Sequence, residues 1–207
     1  MAARLLIATT NSAKLAEYKW LLRSWPLELL SLREVGIDLE AKETGATFSA
    51  NALLKARYYF GLARIATLAD DGGLEVDALG GAPGVASHRW LGAQADDRAL
   101  AEAVVARVNA LDGVPRTARL RCALALRYEC NGEAVEAVTE AAMEGLIASR
   151  VHPALRPGFP YRAVLYLPQH ACYVSELSEE EEARLSQRRT AIELAASHLT
   201  AIATAQL

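Results

Sequence analysis

The sequence predicts an α/β fold built on a mixed β-sheet with helices on its faces. Strands alternate with helices in the first half of the chain, a β-hairpin follows, and a helical region ends it. Strand–helix alternation favours parallel pairing, whereas a hairpin is antiparallel. The chain has 207 residues, of which 52% are hydrophobic, and a net charge of −3, so it can bury the core that such a sheet requires.

The amino-terminal part predicts two strand–helix pairs. A buried strand is predicted over residues 4–9, and Asn11-Ser12 can cap a helix whose apolar residues recur at helical spacing. A second strand is predicted over residues 27–32. Thr47 opens a second helix, which we expect to continue to about Ala63.

The middle of the chain predicts a third strand and a third helix. The strand covers residues 65–69, and we expect it to end at Asp70-Asp71-Gly72-Gly73. After the glycine-rich loop at residues 80–84, Asp96 or Asp97 can cap a helix that runs to about Leu111.

The second half contains the clearest strand, residues 118–128, where apolar residues alternate with arginine and alanine. Asn131-Gly132 predicts a tight hairpin turn, with a return strand over residues 134–142. A late strand is predicted over residues 163–167. Ser178 and Glu181 form a capping box for the alanine-rich helical end.

Composition argues against several classes of protein. No apolar run reaches the roughly 20 residues of a membrane-spanning helix, and the amino terminus lacks a secretory apolar segment, so we expect a cytoplasmic protein. The three cysteines form no Cys-x-x-Cys pair, and the four histidines show no metal-ligand spacing. A slightly acidic chain is not attracted to nucleic acid in general.

Acidic and basic residues near the predicted strand and helix ends are the candidates for chemistry. Asp70 and Asp71 could hold a divalent cation, with Glu43 as a third carboxylate, although such a tetrapeptide is also an ordinary turn. Lys14 and Lys55 each lie in a helix that begins at a polar turn. A helix start together with a lysine can bind an anion, and two such sites suggest a polyphosphate ligand. The alternative is that both lysines are solvated helix charges.

Several segments, taken in order, resemble the inosine triphosphate pyrophosphatase family, also called Ham1-like. The resemblance rests on five segments and spans nearly the whole chain; the segments are residues 8–14, 43–48, 51–56, 69–77 and 80–85. Weaker matches follow at residues 158–159, 176–177 and 186–188. Five ordered segments are far more specific than any one motif.

The resemblance implies one domain over residues 1–207, an elongated mixed sheet with two lobes around a central cleft, and a homodimer. It implies hydrolysis of non-standard purine nucleoside triphosphates, such as ITP, dITP or XTP, to the monophosphate and pyrophosphate with Mg²⁺. By position, Glu43, Asp70 and Asp71 would hold the metal, and Asp71 would also be the base that activates water. The implied phosphate-binding residues are Thr9, Thr10, Asn11, Lys14 and Lys55.

The carboxyl-terminal half departs from the family pattern. The residues that the resemblance implies for the base are Gly72, Phe159, Tyr161, Arg162, Gln187 and Arg188. Among the base-reading positions, Arg162 replaces an aspartate, Glu182 a lysine and Gln187 a histidine. One hypothesis is that Arg162 and Glu182 pair in a reversed arrangement. Others are that the chain reads a different base, or that it has lost tight base recognition and binds nucleotides with little turnover.

Overall fold

The computed structural model describes residues 2–92 and 95–204. Its strands are β1 (Ala3–Ile7), β2 (Leu27–Ser31), β3 (Ala66–Val76), β4 (Thr117–Cys130), β5 (Glu133–Ile147), β6 (Leu165–Leu167) and β7 (Cys172–Tyr173). Its helices are α1 (Ser12–Leu21), α2 (Phe48–Ala63), α3 (Asp97–Asn109), α4 (Glu179–Leu185), α5 (Gln187–Leu194) and α6 (Ala196–Thr204).

The strands form one mixed sheet in the order β2-β1-β3-β4-β5-β6-β7. Strand β1 pairs in parallel with β2 and β3, whereas β6 is antiparallel to both β5 and β7. Asn131 and Gly132 connect β4 to β5 with φ angles of 53° and 78°, as the predicted tight hairpin requires. The predicted mixed α/β fold is therefore confirmed.

The chain divides into two compact units. Unit 1 comprises Met1–Asp71, Cys122–Ala141 and Arg188–Leu207, and unit 2 comprises Gly72–Arg121 and Ala142–Gln187. The core of unit 1 includes Leu5, Tyr18 and Leu124, and that of unit 2 includes Val104 and Leu165. Each unit thus has its own apolar core.

The predicted helix caps are confirmed. Asn11, Thr47 and Asp96 each accept a hydrogen bond from the first turn of the helix that follows. Ser178 and Glu181 form the expected capping box at the start of α4. Short polar side chains at these positions satisfy backbone N–H groups that have no partner inside the helix.

The prediction that the third strand ends at Asp70 is wrong. Strand β3 continues through Asp70-Asp71-Gly72-Gly73 to Val76. Carboxylates are rare inside strands because burial disfavours their charge, but here neighbouring cations and a buried amide hold them. The short strand β7 is absent from the predicted elements.

The three cysteines are free thiols: Cys122 is buried in the core of unit 1, and Cys130 and Cys172 are half-buried. Over residues 2–92 and 95–204, none of the helices has the length and apolar character needed to cross a membrane.

Candidate active site

Asn11 fixes the turn between β1 and α1. Its Oδ1 accepts hydrogen bonds from the backbone N–H of Ala13 at 2.9 Å and of Lys14 at 3.1 Å. Its own N–H donates to Oγ1 of Thr9 at 3.2 Å. Thr10 is exposed in the same turn. The start of a helix carries partial positive charge, so Thr9, Thr10 and Asn11, which the resemblance implies for phosphate binding, lie where an anion is favoured.

Asp70 is a buried carboxylate between two cations. Its Oδ1 lies 3.2 Å from Nζ of Lys14, and its Oδ2 lies 3.1 Å from Nε of Arg188. Arg188 also contacts Glu17 at 3.1 Å. Burial by itself would raise the pKa of Asp70, but the charges of Lys14, Arg188 and Lys55 outweigh burial and hold that pKa below its usual range. Asp70 is therefore ionised at neutral pH.

The start of α2 positions Asp71 through Asn51, which is fully buried. Oδ1 of Asn51 accepts a hydrogen bond from the backbone N–H of Gly45 at 2.7 Å, and its Nδ2 donates to Oδ2 of Asp71 at 3.0 Å. A Cβ atom at Gly45 would lie 2.7 Å from Asn51 Oδ1 and 2.8 Å from Ala50 Cβ. Glycine at 45 therefore permits the close approach that orients the Asn51 amide.

Lys55, one turn after Asn51, lies between two carboxylates. Its Nζ is 2.7 Å from Oε1 of Glu43 and 3.9 Å from Oδ1 of Asp71. Burial lowers the pKa of Lys55, but the charges of Asp70, Asp71 and Glu43 outweigh burial and raise it, so the ammonium group stays charged.

The pKa of Asp71 is shifted in the opposite direction from that of Asp70. Burial raises the pKa of Asp71, and the charge of Glu43 adds to that rise, against the lowering effect of Lys55. A partly buried carboxylate with a raised pKa is a better proton acceptor than a surface aspartate, because its conjugate acid is weaker. This is the electronic character that a general base requires.

The extended backbone of β3 explains the difference between the two aspartates. Successive side chains of a strand point to opposite faces. Asp70 accordingly contacts Lys14 of α1 and Arg188 of α5, whereas Asp71 contacts Asn51 of α2.

Most of the implied phosphate and metal residues thus form two sets of contacts within unit 1, one around Asp70 and one around Asp71. The two sets are within electrostatic range of each other, because the charge of Lys55 lowers the pKa of Asp70 and the charge of Lys14 lowers that of Asp71. We call the group formed by Lys14, Glu17, Glu43, Asn51, Lys55, Asp70, Asp71 and Arg188 the charged cluster. Asn51 and Glu17 are not among the site residues predicted from the sequence. The available signal for Asn51 was a polar side chain four positions before Lys55 on the predicted helix.

Tyr161, in unit 2, is held by Ser87. The Tyr161 hydroxyl donates to the backbone carbonyl of Ser87 at 2.6 Å, and burial raises the pKa of this phenol, with a smaller effect from Asp97. Oγ of Ser87 accepts from the backbone N–H of Leu74 at 3.0 Å. A Cβ atom at Gly73 would collide with the Ser87 side chain. Tyr161 is therefore buried and fixed.

Phe159, also in unit 2, is half-buried, and one face of its ring is covered by Arg162. The Arg162 guanidinium carbon lies 3.6 Å from the ring centroid, and this arginine forms an ion pair with Glu182. The predicted pairing of Arg162 with Glu182 is confirmed. Gln187 is buried in unit 2 and Gly72 is buried in β3. Arg188, in contrast, is part of the charged cluster of unit 1.

Known proteins with a similar sequence or structure cover almost the whole chain. A dITP/XTP pyrophosphatase of Bacillus subtilis (strain 168) is 37% identical over 187 residues, which is 90% of this chain and 92% of that protein. One of Geobacillus kaustophilus (strain HTA426) is 39% identical over 191 residues, or 91% and 90% of the two chains. The structure of a HAM1 protein from Coxiella burnetii matches with a TM-score of 0.84 and 33% identity, covering 96% of this chain and 98% of that one.

The family comparison agrees with the motifs identified in the sequence. The model of the Ham1 family matches residues 5–198, which include every member of the charged cluster and the predicted base residues. By its sequence, by its fold and by this match, the chain belongs to the Ham1 family.

Proposed function

We propose that this protein hydrolyses a non-standard purine nucleoside triphosphate, such as ITP, dITP or XTP, to the nucleoside monophosphate and pyrophosphate. The observation that carries the proposal is Asp71, which is held by Asn51 beside Lys55 and Glu43 and has a raised pKa. The names of the Bacillus and Geobacillus relatives support the choice of substrate.

The charged cluster has the groups needed to bind a triphosphate. The first turn of α1 offers backbone N–H groups, and Lys14 and Lys55 supply two positive charges on separate helices. A triphosphate carries several negative charges, which must be neutralised before water can attack phosphorus. We assign this task to Lys14, Lys55 and the α1 turn.

Glu43 and Asp71 fit a bound Mg²⁺. Both carboxylates approach the ammonium group of Lys55, and Glu43 raises the pKa of Asp71, as expected where negative charges face one another. In the part of the chain that the structure describes, no three acidic, His or Cys side chains form a metal-binding group. Mg²⁺ commonly uses one or two carboxylates and completes its shell with phosphate oxygens and water. When bound, it would neutralise phosphate charge and increase the acidity of water.

Asp70 has a different role in this proposal. Its two oxygens already face Lys14 and Arg188, and its side chain is buried. The family resemblance implies Asp70 as a metal ligand. We instead assign it to holding Lys14 and Arg188 in position.

Asp71 orients and deprotonates the attacking water. The hydrogen bond from Asn51 to Oδ2 holds the carboxylate of Asp71 in one orientation. Lys55, 3.9 Å from Oδ1, stabilises the negative charge that develops on the phosphate. Phe159 and the other base residues of unit 2 would contact the purine. We also propose a homodimer and a cytoplasmic location, following the family resemblance.

A panel of nucleoside triphosphates tests this function. The purified protein is incubated with ITP, dITP, XTP and the four standard nucleotides, with and without Mg²⁺, and released pyrophosphate is measured. We expect pyrophosphate from the non-standard purines and only with Mg²⁺. Binding of nucleotides without turnover would support the alternative of a nucleotide-binding protein and contradict the proposal.

A further inference from the structure

The part of the chain that precedes α2 lies extended along that helix. Residues 38–45 form neither helix nor strand, and over residues 41–46 half-buried and exposed residues alternate. This alternation is typical of extended backbone, because successive side chains point to opposite sides. We call residues 38–45 the Glu43 segment. It contains Glu43, the carboxylate that the proposed function assigns to Mg²⁺.

Tyr59, on α2, binds the first half of the Glu43 segment. The tyrosine is buried, with 2% of its surface exposed. The backbone N–H of Ala41 donates to the Tyr59 hydroxyl at 3.2 Å, and the hydroxyl donates to the backbone carbonyl of Leu39 at 3.2 Å. A hydroxyl that donates one hydrogen bond and accepts another is fixed in its orientation. Tyr59 therefore attaches the backbone two and four residues before Glu43 to the helix.

The contact of Tyr59 continues a regular series along α2. Asn51, Lys55 and Tyr59 are four residues apart, so they share one face of the helix. Asn51 contacts the backbone of Gly45, and Lys55 contacts Glu43. Four helical residues advance about 6 Å and two extended residues about 6.6 Å, so the contacts on the helix and on the segment have matching spacing. The Glu43 segment thus runs antiparallel to α2 and is attached to it at each turn.

The two outer contacts differ in kind from the contact at Glu43. Lys55 would compete with a bound cation for the Glu43 carboxylate, because both are positively charged. The Tyr59 hydroxyl, in contrast, contacts backbone groups and involves no charge. Glu43 is itself partly exposed, with 30% of its side-chain surface accessible. Attachment of the backbone by Tyr59 can therefore hold Glu43 in place when its carboxylate binds a metal.

We propose that Tyr59 is a positioning residue for Glu43 and thereby for the divalent cation. Through Leu39 and Ala41 it holds the Glu43 segment against α2, so the carboxylate is already in place before the cation binds. A preorganised ligand binds more tightly because less conformational freedom is lost on binding. Groups that orient a metal ligand without touching the metal commonly affect its affinity. This inference rests on the proposed function for the identity of the ligand, Mg²⁺.

Binding of Mn²⁺ to the nucleotide-free protein tests this role. Mn²⁺ takes the same oxygen ligands as Mg²⁺, and electron paramagnetic resonance measures its free concentration during titration. The four proteins are wild type, Tyr59→Phe, Glu43→Gln and the double variant. We expect Tyr59→Phe to bind Mn²⁺ about three- to fivefold more weakly, the equivalent of one modest hydrogen bond, and Glu43→Gln about tenfold more weakly. Because Tyr59 acts through Glu43, the double variant should bind no more weakly than Glu43→Gln.

Tyr58→Phe is the matched control. It also removes one hydroxyl and keeps the edge-to-face contact with the Tyr59 ring, but Tyr58 takes no part in the bonds to Leu39 and Ala41. It should bind Mn²⁺ as wild type does. Tyr59→Phe should remain folded, because the ring stays in place and Leu39, 60% exposed, can bond to water instead. A melting curve of each variant measures its stability.

Equal Mn²⁺ affinities of wild type and Tyr59→Phe, with or without a change in melting temperature, would overturn the role of Tyr59. So would additive losses in the double variant, or a wild-type protein that does not bind Mn²⁺. Mn²⁺ binding requires neither nucleotide nor hydrolysis, so the absence of pyrophosphate release would overturn the proposed function and not this inference.

Discussion

Asp70 and Asp71 are adjacent in the sequence, but their surroundings make them chemically different. Two cations lower the pKa of Asp70, whereas burial and Glu43 raise the pKa of Asp71. Asp70 is thereby held as a fixed charge, and Asp71 has the raised pKa expected of the base that we propose. Paired acidic groups whose pKa values are moved apart are a common means of assigning different roles to similar side chains.

Asp71→Asn should abolish turnover without loss of stability. The amide keeps the size of the side chain but cannot take a proton, so pyrophosphate release should fall by a factor of about 10²–10⁴. The variant also removes a charge that burial disfavours, so its melting temperature should equal or exceed that of wild type. Calorimetry and the pyrophosphate assay measure the two effects. Asp112→Asn, at an exposed position, is the control, and near-normal turnover of Asp71→Asn would contradict the assignment.

Asp70→Asn should destabilise the fold in a pH-dependent way. It leaves Lys14 and Arg188 without their buried partner, a loss of about 3–5 kcal/mol near neutral pH. Because the pKa of Asp70 is lower in the folded state, its contribution is complete above the unfolded pKa of about 3.9 and is lost as the pH falls through the folded value. Urea unfolding should therefore show the difference from wild type shrinking below about pH 4. A difference that does not change with pH would refute this electrostatic account.

At the scale of elements, the helix caps could be predicted from the sequence, whereas the contacts of the buried aspartates in β3 could not. Asn11, Thr47 and Ser178 cap helices by hydrogen bonds to residues two or three positions away, so the sequence contains the whole interaction. The course of β3 through Asp70 and Asp71 depends on Arg188 and Asn51, which are distant in the chain. Residue types and motif order could therefore indicate the site, but not which carboxylate each cation holds.

Gly45→Ala and Gly61→Ala should have opposite effects on stability. At Gly45 a methyl group collides with Asn51 and Ala50, so the variant should lose about 1–3 kcal/mol and much of its turnover, because Asn51 orients Asp71. At Gly61, inside α2, a Cβ atom meets nothing within 4 Å. Alanine there should stabilise by about 0.5–1 kcal/mol, because glycine is a poor helix former. The urea concentrations at the unfolding midpoints of the two variants measure the difference in stability. Equal changes from the wild-type midpoint would contradict the tight packing at Gly45.

At the scale of the whole molecule, the candidate residues divide between the two units. The charged cluster belongs to unit 1, and Phe159, Tyr161 and Arg162 belong to unit 2. The chain passes from one unit to the other at the peptide bond between Asp71 and Gly72, in the middle of β3. The proposed function thus assigns phosphate chemistry and base recognition to different parts of the protein, each with its own core.

Removal of divalent ions should stop turnover, and Mg²⁺ should restore it. If Glu43 is a ligand, Glu43→Gln should raise the Mg²⁺ concentration for half-maximal rate by about tenfold, because the site loses a charged oxygen donor. Glu40→Gln, at an exposed position in the same loop, should leave that concentration unchanged. Full activity in EDTA would contradict the metal requirement.

The central claim is that the charged cluster directs water to the bond between the α- and β-phosphates, with Asp71 as the base. Phosphorus NMR of ITP hydrolysis by wild type and Asp71→Asn tests it most directly, since the spectrum distinguishes all phosphate products. The account predicts equal amounts of IMP and pyrophosphate from wild type and neither from the variant. Formation of IDP and orthophosphate by wild type, or unchanged hydrolysis by Asp71→Asn, would contradict it.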